Sequence, residues 1–424
     1  MHLCLIFLFA LWGGTSALAQ ESASLTPAQH YEAALEHRQA AAGFIDAGDT
    51  PSAISALEAA LFHQPGHGSI LVNLAILSAR MGDMDTAEKW LTEVNRLGLS
   101  YPTSALAAAM PEDARNNLSV LLQLIEENGA PTGTVEALVT IPYLDILIES
   151  VAKVDSTWYV SGIAQPGLYR LDDDTLENLL EDKSIGSVFE IVAADGLIWA
   201  ATAIVPQTAA SHRKAGTVLL AIDPQTEQVI YRFEAPANNA QITDLAHDED
   251  IVYFTDQAGG AIYKADIETG ELTTVVAPGT FASLQGITVS HSFLYAADYA
   301  TGIWRVDLST GTALRLMTDN ASLIGIDGLT ADGNGGLVAI RNGARPHGVL
   351  HLSLTENGSA IETVTPLATG MPEFDDPTLG FVRDGQFAFI ANSQWPSFPE
   401  DGSAPESPRK PVLIMATPLP TEER

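Results

Sequence analysis

Residues 323–342 read LIGIDGLTADGNGGLVAIRN. A carboxylate, Asp327, stands at the start of an apolar run. A polar turn follows, and then a second apolar run that ends in Arg341-Asn342. The same order recurs five more times: ILIESVAKVDSTWYVSG from 146, SVFEIVAADGLIWAAT from 187, AQITDLAHDEDIVYFTD from 240, SLQGITVSHSFLYAAD from 283 and DPTLGFVRDGQFAFIAN from 376. Each copy opens on a polar residue, continues as a half-apolar strand, turns, and runs on as an aromatic or β-branched strand. A third strand follows each one: GLYRLD, GTVLLAID, GAIYKAD, TGIWRVD, GVLHLSL and PVLIMAT. Most copies add a fourth, such as EQVIYRF or ELTTVVA.

The openers are Glu149, Glu190, Asp244, Gln285, Asp327 and Thr378, spaced 41, 54, 41, 42 and 51 residues apart. Four short strands at this period form a propeller blade, so the pattern predicts a six-bladed β-propeller over 131–424. The sixth copy has no fourth strand of its own. The segment TVEALVTIP (134–142) precedes the first copy without a partner, and it is expected to fill that edge and close the ring.

A second repeat lies upstream. AGDTPSAISALEAAL (47–61) aligns with RMGDMDTAEKWLTEV (80–94): Gly48-Asp49 with Gly82-Asp83, Ala53 with Ala87, Leu57 with Leu91, each 34 residues apart. The spacing predicts helices over 28–47, 51–63, 67–81 and 84–97, with 103–127 as a helical cap. Gly48 and Gly82 end the first helix of each pair, where positive φ is needed. The segment 20–130 resembles tetratricopeptide repeats, which implies a groove for a protein or peptide partner. A short helical prop against the propeller is the structural alternative. The fold class is therefore α plus all-β, helical repeats followed by a propeller.

Composition narrows the function. Fifty-three acidic against 20 basic residues give a net charge of −33, which repels nucleic acid and anionic membranes. Residues 1–19 read as a signal peptide: Leu3 to Trp12 is an apolar core too short to span a bilayer, and Ala17-Leu18-Ala19 a small-x-small cleavage site. That predicts a periplasmic or secreted protein without stable membrane insertion. The single cysteine, Cys4, lies inside this segment, so the mature chain lacks cysteine chemistry.

Six openers on innermost strands should converge on the channel at one face. Carboxylates brought together there repel unless protons or a cation intervene. An oxygen-only set of Glu149, Asp244, Gln285 and Asp327 suits calcium, and no opener is His or Cys, which argues against zinc. In this pattern the chain resembles the six-bladed senescence marker protein–gluconolactonase family and the related paraoxonases. The resemblance rests on Glu149 in IESVAKV, Gln285 in LQGITVS and Asp327 in IDGLTAD. It implies a metal at the channel top, with Gln285 replacing the family's Asn, and metal-assisted hydrolysis of a lactone or ester with Asp327 working on the water. Loops on the same face carry Asp256, Asp298, Tyr299, Arg341, Asn342, Arg345, His347, Asn392, Gln394 and Trp395. Of these, Asp298, Arg341, Asn342, His347, Asn392 and Trp395 are the candidate substrate contacts. Two readings stay open on the sequence: a calcium-dependent lactonase-like hydrolase of a small molecule, and a non-catalytic propeller that binds a ligand or partner.

Overall fold

The computed structural model of the chain describes residues 25–420 apart from 144, 173, 174, 181, 404 and 406–408. The segment read as a signal peptide lies outside the described residues.

Glycine and aspartate set the helical boundaries. The first four helices run Pro27–Asp46 (α1), Thr50–His63 (α2), Gly68–Arg80 (α3) and Met84–Arg96 (α4). Gly48 and Gly82 take φ of +75° and +80° and stop α1 and α3. The aspartate after each glycine then caps the next helix: Asp49 accepts from the Ser52 N–H, and Asp83 from the Thr86 N–H. Ala53 and Ala87 are fully buried where the paired helices approach. The expected cap over 103–127 is three short helices, Thr103–Ala109 (α5), Glu112–Asn117 (α6) and Ser119–Glu127 (α7). Pro111, which has no N–H to donate to a preceding turn, separates the first two.

Six sheets follow. Blades one to four are antiparallel meanders that begin with the strands Ile148–Val154, Ser187–Ala194, Leu245–Asp248 and Leu284–Ser290. Blade five begins at Ile326–Ala331 and gains a fifth strand, because Thr132–Gly133 pairs with Ala368 and Thr369. In blade six, Glu136–Ile141 pairs antiparallel with Val412–Pro418, so the upstream segment does fill the open edge and close the ring.

The chain therefore leaves the helices along blade five and enters blade six. That corner is tight. A Cβ on Gly133, which sits at φ +84°, would fall 1.8 Å from the Leu367 carbonyl oxygen. The Thr132 and Thr369 hydroxyls are 2.7 Å apart.

Separate apolar clusters fill the seams between neighbouring blades. One joins Ile148 and Val160 of blade one to Ile390 and Ile414 of blade six. Burial of such surface stabilises at roughly 25 cal/mol per Å².

Candidate functional site at the channel mouth

Where an innermost strand enters its blade, the ladder slips. The pairing register shifts between Ile148 and Val151, Val188 and Ile191, Leu284 and Ile287, and Ile326 and Leu329. The residues inside these bulges include the openers Glu149, Glu190, Gln285 and Asp327. A bulge bends its strand and re-aims a side chain, which is how an opener leaves the blade plane. Glycine makes room: a Cβ on Gly286 would lie 2.6 Å from the Asp327 carbonyl oxygen of the next blade.

Glu149, Asp244, Gln285 and Asp327 all line one cavity of about 330 Å³, together with Tyr299, Asn342, Asp376 and Trp395 from the loops above. Among the described residues, no Lys, Arg or His lines it.

The carboxylates fall into two sets. Glu190 accepts from the Leu245 N–H at 2.6 Å, and Asp244 from the Ile287 N–H at 2.6 Å; each thus holds the innermost strand of the next blade. The two carboxyls also act on each other. Burial pushes Glu190 up to about 8, against the pull of the Leu245 N–H and of Asp244. Burial and then the Glu190 charge push Asp244 well above the usual carboxylate range.

Glu149 and Asp327 are bonded to loop side chains instead. Trp395 Nε1 donates to Glu149 at 2.5 Å, and Asn342 Nδ2 donates to Asp327 Oδ2 at 2.6 Å. Burial, then the Asp327 charge, raises Glu149 far above its ordinary value. Asp327 is pushed up to about 7, by burial first and then by Asp376, with the Asn342 hydrogen bond opposing. Asp376 itself rises to about 6 through burial and Asp375. Burial, then Asp327 and Asp376, hold the Tyr299 hydroxyl protonated.

The candidate substrate contacts separate sharply. Asn342 and Trp395 line the cavity. Asp298 does not: it is fully buried, and its carboxylate accepts from the backbone of Ala282, Ser283, Ala300 and Thr301 and from the Thr301 hydroxyl. Asp256 organises its own loop in the same way, through Gln241 and Gly259. Asn392 is spent on the Leu413 N–H and the Pro411 carbonyl. Arg341 is buried behind the wall, donating to the Ser322 and Pro346 carbonyls. His347 lies beyond Asn342, in a second cavity. Thr378, the sixth opener, gives its hydroxyl to the Glu149 carbonyl at 2.6 Å.

Asp376 is absent from the sequence expectation. An acidic pair before Pro377 reads as a solvated turn, and the one signal was its place two residues ahead of the sixth opener. It adopts a left-handed φ of +65°.

The donor chemistry bears on a cation. Among the described residues, no three His, Cys, Asp or Glu side chains converge as metal ligands. A site here would draw on the carboxylates of Glu149 and Asp327 and on amide oxygens. Gln285 lines the same cavity, and the buried Asn342 Oδ1 has no hydrogen-bond partner. Two carboxylates raised by burial, uncompensated by any basic side chain and flanked by amide oxygens, fit a hard, oxygen-seeking cation such as calcium.

Comparison with known proteins identifies one repeat. A tetratricopeptide-repeat family model matches residues 44–100. A search of curated protein sequences finds no match. Among solved structures, an inactive virginiamycin B lyase from Staphylococcus aureus aligns at 14% identity and TM-score 0.44, over 68% of this chain and 99% of that one. A gluconolactonase from Xanthomonas campestris aligns at 13% and 0.43, over 67% and 99%. A luciferin-regenerating enzyme aligns at 12% and 0.45, over 68% and 95%. The chain is a six-bladed β-propeller preceded by tetratricopeptide-type helices.

Proposed function

We propose that the channel mouth is a hydrolytic site for a lactone or ester, with calcium held by Glu149, Gln285 and Asp327. One observation carries the reading: a buried carboxylate from blade one, Glu149, and a half-buried one from blade five, Asp327, face one cavity that, among the described residues, no basic side chain lines. A bound cation would supply Lewis-acid polarisation of the substrate carbonyl.

The chain's own residues account for the rest. Asp327, with its carboxyl pushed up to about 7, suits a general base near neutrality. Asn342 fixes the carboxylate by its 2.6 Å hydrogen bond and is itself held by the Pro377 carbonyl at 3.0 Å. Asp327 takes a proton from water as the water oxygen bonds to the acyl carbon. The acyl–oxygen bond then breaks, and the proton passes to the leaving alkoxide. Tyr299, kept protonated by burial, can donate a hydrogen bond to that oxygen. Trp395 orients Glu149.

A second reading, ligand binding without turnover, is favoured by Asn342 already occupying Asp327. Export through residues 1–19 and a protein- or peptide-facing role for the helical repeats belong to the same proposal.

The test is to follow melting of the metal-free mature chain during calcium titration, then to assay a panel of lactones and esters in a pH-stat. The expected result is a calcium-dependent rise in melting temperature, abolished in Asp327→Ala, together with turnover. A calcium response without turnover selects the second reading. No response at all removes the metal.

A further inference from the structure

The helices do not meet the propeller along a featureless seam. The Ser100 N–H donates to the Arg345 carbonyl at 2.9 Å, the Ser322 hydroxyl to the Gly66 carbonyl at 2.9 Å, and Gln64 Nε2 to the Ala300 carbonyl at 2.7 Å. Ala344 packs into the helical core itself. Between these ties lies a cleft of about 760 Å³, more than twice the volume of the channel-mouth cavity. The helical wall includes His67, Ser69, Tyr101 and Glu126, and the loop from Asn342 to His347 forms the other.

The two cavities share Asn342. Beside it, a Cβ on Gly343 would lie 2.5 Å from the Tyr299 hydroxyl, and Tyr299 lines the channel mouth.

The cleft wall carries one cation and one carboxylate in a chain of net charge −33. Arg345 lines it. The Arg38 charge acts on His67, and those of Arg345 and Arg341 act on His347. The opposing carboxylates are Glu126, in the wall, and Asp375, which acts on His347. Neutral donors surround the cations. The Nδ1 atoms of His67 and His347 are buried without a partner, so turning either ring breaks no hydrogen bond at that atom. The first turn of α3, which begins at Gly68, has no side-chain cap. Gly68 is packed so closely that a Cβ there would meet the Tyr101 hydroxyl at 2.3 Å. A low-dielectric cleft focuses such a field on an anion.

We propose that this cleft holds the anionic end of an elongated organic acid, with Arg345 as its charge partner and His67, His347 and Tyr101 as hydrogen-bond donors. Through Asn342 the anion site continues into the channel mouth. The substrate is then an ester or lactone that carries a carboxylate or phosphate several bonds from the group cleaved. This assignment of substrate class rests on the hydrolytic reading; the anion site itself does not. The helical repeat thereby becomes one wall of the substrate site.

The experiment titrates the full mature chain by calorimetry with glutarate and with inorganic phosphate at low ionic strength. At least one anion should bind, and the responder tells carboxylate from phosphate. Arg345→Ala, on an exposed loop, should weaken binding by about tenfold or more, as the loss of a charge-assisted hydrogen bond predicts. Arg345→Lys should restore part of that loss, and Asp327→Asn should leave binding unchanged. The proposal fails if neither anion binds at about 10 mM, a free energy of only a few kcal/mol. It fails equally if Arg345→Ala binds like the unaltered chain, or if Asp327→Asn tightens binding, since relief of carboxylate repulsion there would put the anion at the channel mouth. Absence of turnover or of a calcium response sinks the hydrolytic reading and leaves an anion result standing.

Discussion

Glu190 and Asp244 occupy the same place in their blades as Glu149 and Asp327, and the two pairs do different work. The first pair binds the backbone of the neighbouring blade, at Leu245 and Ile287. The second pair is met by side chains from the loops, Trp395 and Asn342. One pair joins blades. The other has its bonding directed to the loops above the cavity, whose wall Asp244 shares. The difference lies in what the next strand offers: blades two and three face bare peptide N–H groups, whereas blades one and five lie under loops that carry an indole and an amide.

Substitution at Asp327 should break this comparison most visibly. Asp327→Asn is expected to lower hydrolysis by about 10²-fold or more, the usual yield of a positioned base, while the melting temperature holds or rises. A retained rate would show that the base lies elsewhere.

Asp244 supplies the opposite case. Asp244→Ala leaves the buried Ile287 N–H without an acceptor and should cost about 1–3 kcal/mol in denaturant unfolding. Asp244→Asn keeps an acceptor oxygen and removes a buried like charge, so it should be close to neutral. If both variants fall equally, the charge rather than the hydrogen bond holds the blades.

The architecture was legible in the sequence because each blade repeats one local pattern, and because Gly48-Asp49 and Gly82-Asp83 mark helix ends chemically. The closing strand was legible because 134–142 had no other partner. The site was legible only in part. Opener positions follow from the period, and the fold brings Glu149, Asp244, Gln285 and Asp327 to one cavity. Which opener turns to backbone and which to the cavity depends on the bulge and on the neighbouring blade, and residue type does not encode that. Asp298 and Asn392 looked like Asn342 on paper. In the fold their loops consume every side-chain polar atom locally, and Asn342 alone of the three lines both cavities and keeps an unpartnered Oδ1. Asp376 was hidden by its turn-like surroundings.

Titration should separate the two pairs further. The folded-state values are raised, to about 8 for Glu190 and about 7 for Asp327, above unfolded values near 4. Between roughly pH 4 and 8 the folded chain therefore holds protons that the unfolded chain has released. The contribution of these carboxylates falls as pH rises through that window, while the histidines lowered by burial act in the opposite sense below their unfolded value near 6.5. In metal-free protein the unfolding free energy should therefore decline from about pH 6.5 to about pH 8. Calcium should recover the portion due to Glu149 and Asp327 and leave the portion due to Glu190 and Asp244. A decline that calcium erases entirely would mean that all four carboxylates belong to one site.

The smallest effect should come from Trp395. Its indole N–H is the hydrogen bond that draws the Glu149 carboxyl down against burial and the Asp327 charge. Trp395→Phe keeps most of the ring and removes only that donor, so Glu149 should hold its proton to still higher pH. Calcium affinity near neutrality should then drop by less than about tenfold, within the reach of one hydrogen bond to a charged group. The drop should close at higher pH, where Glu149 ionises in both proteins. A loss that persists unchanged across pH would assign Trp395 a packing role against Phe189, whose ring lies 6.3 Å away, and would leave Glu149 positioned by the bulge alone.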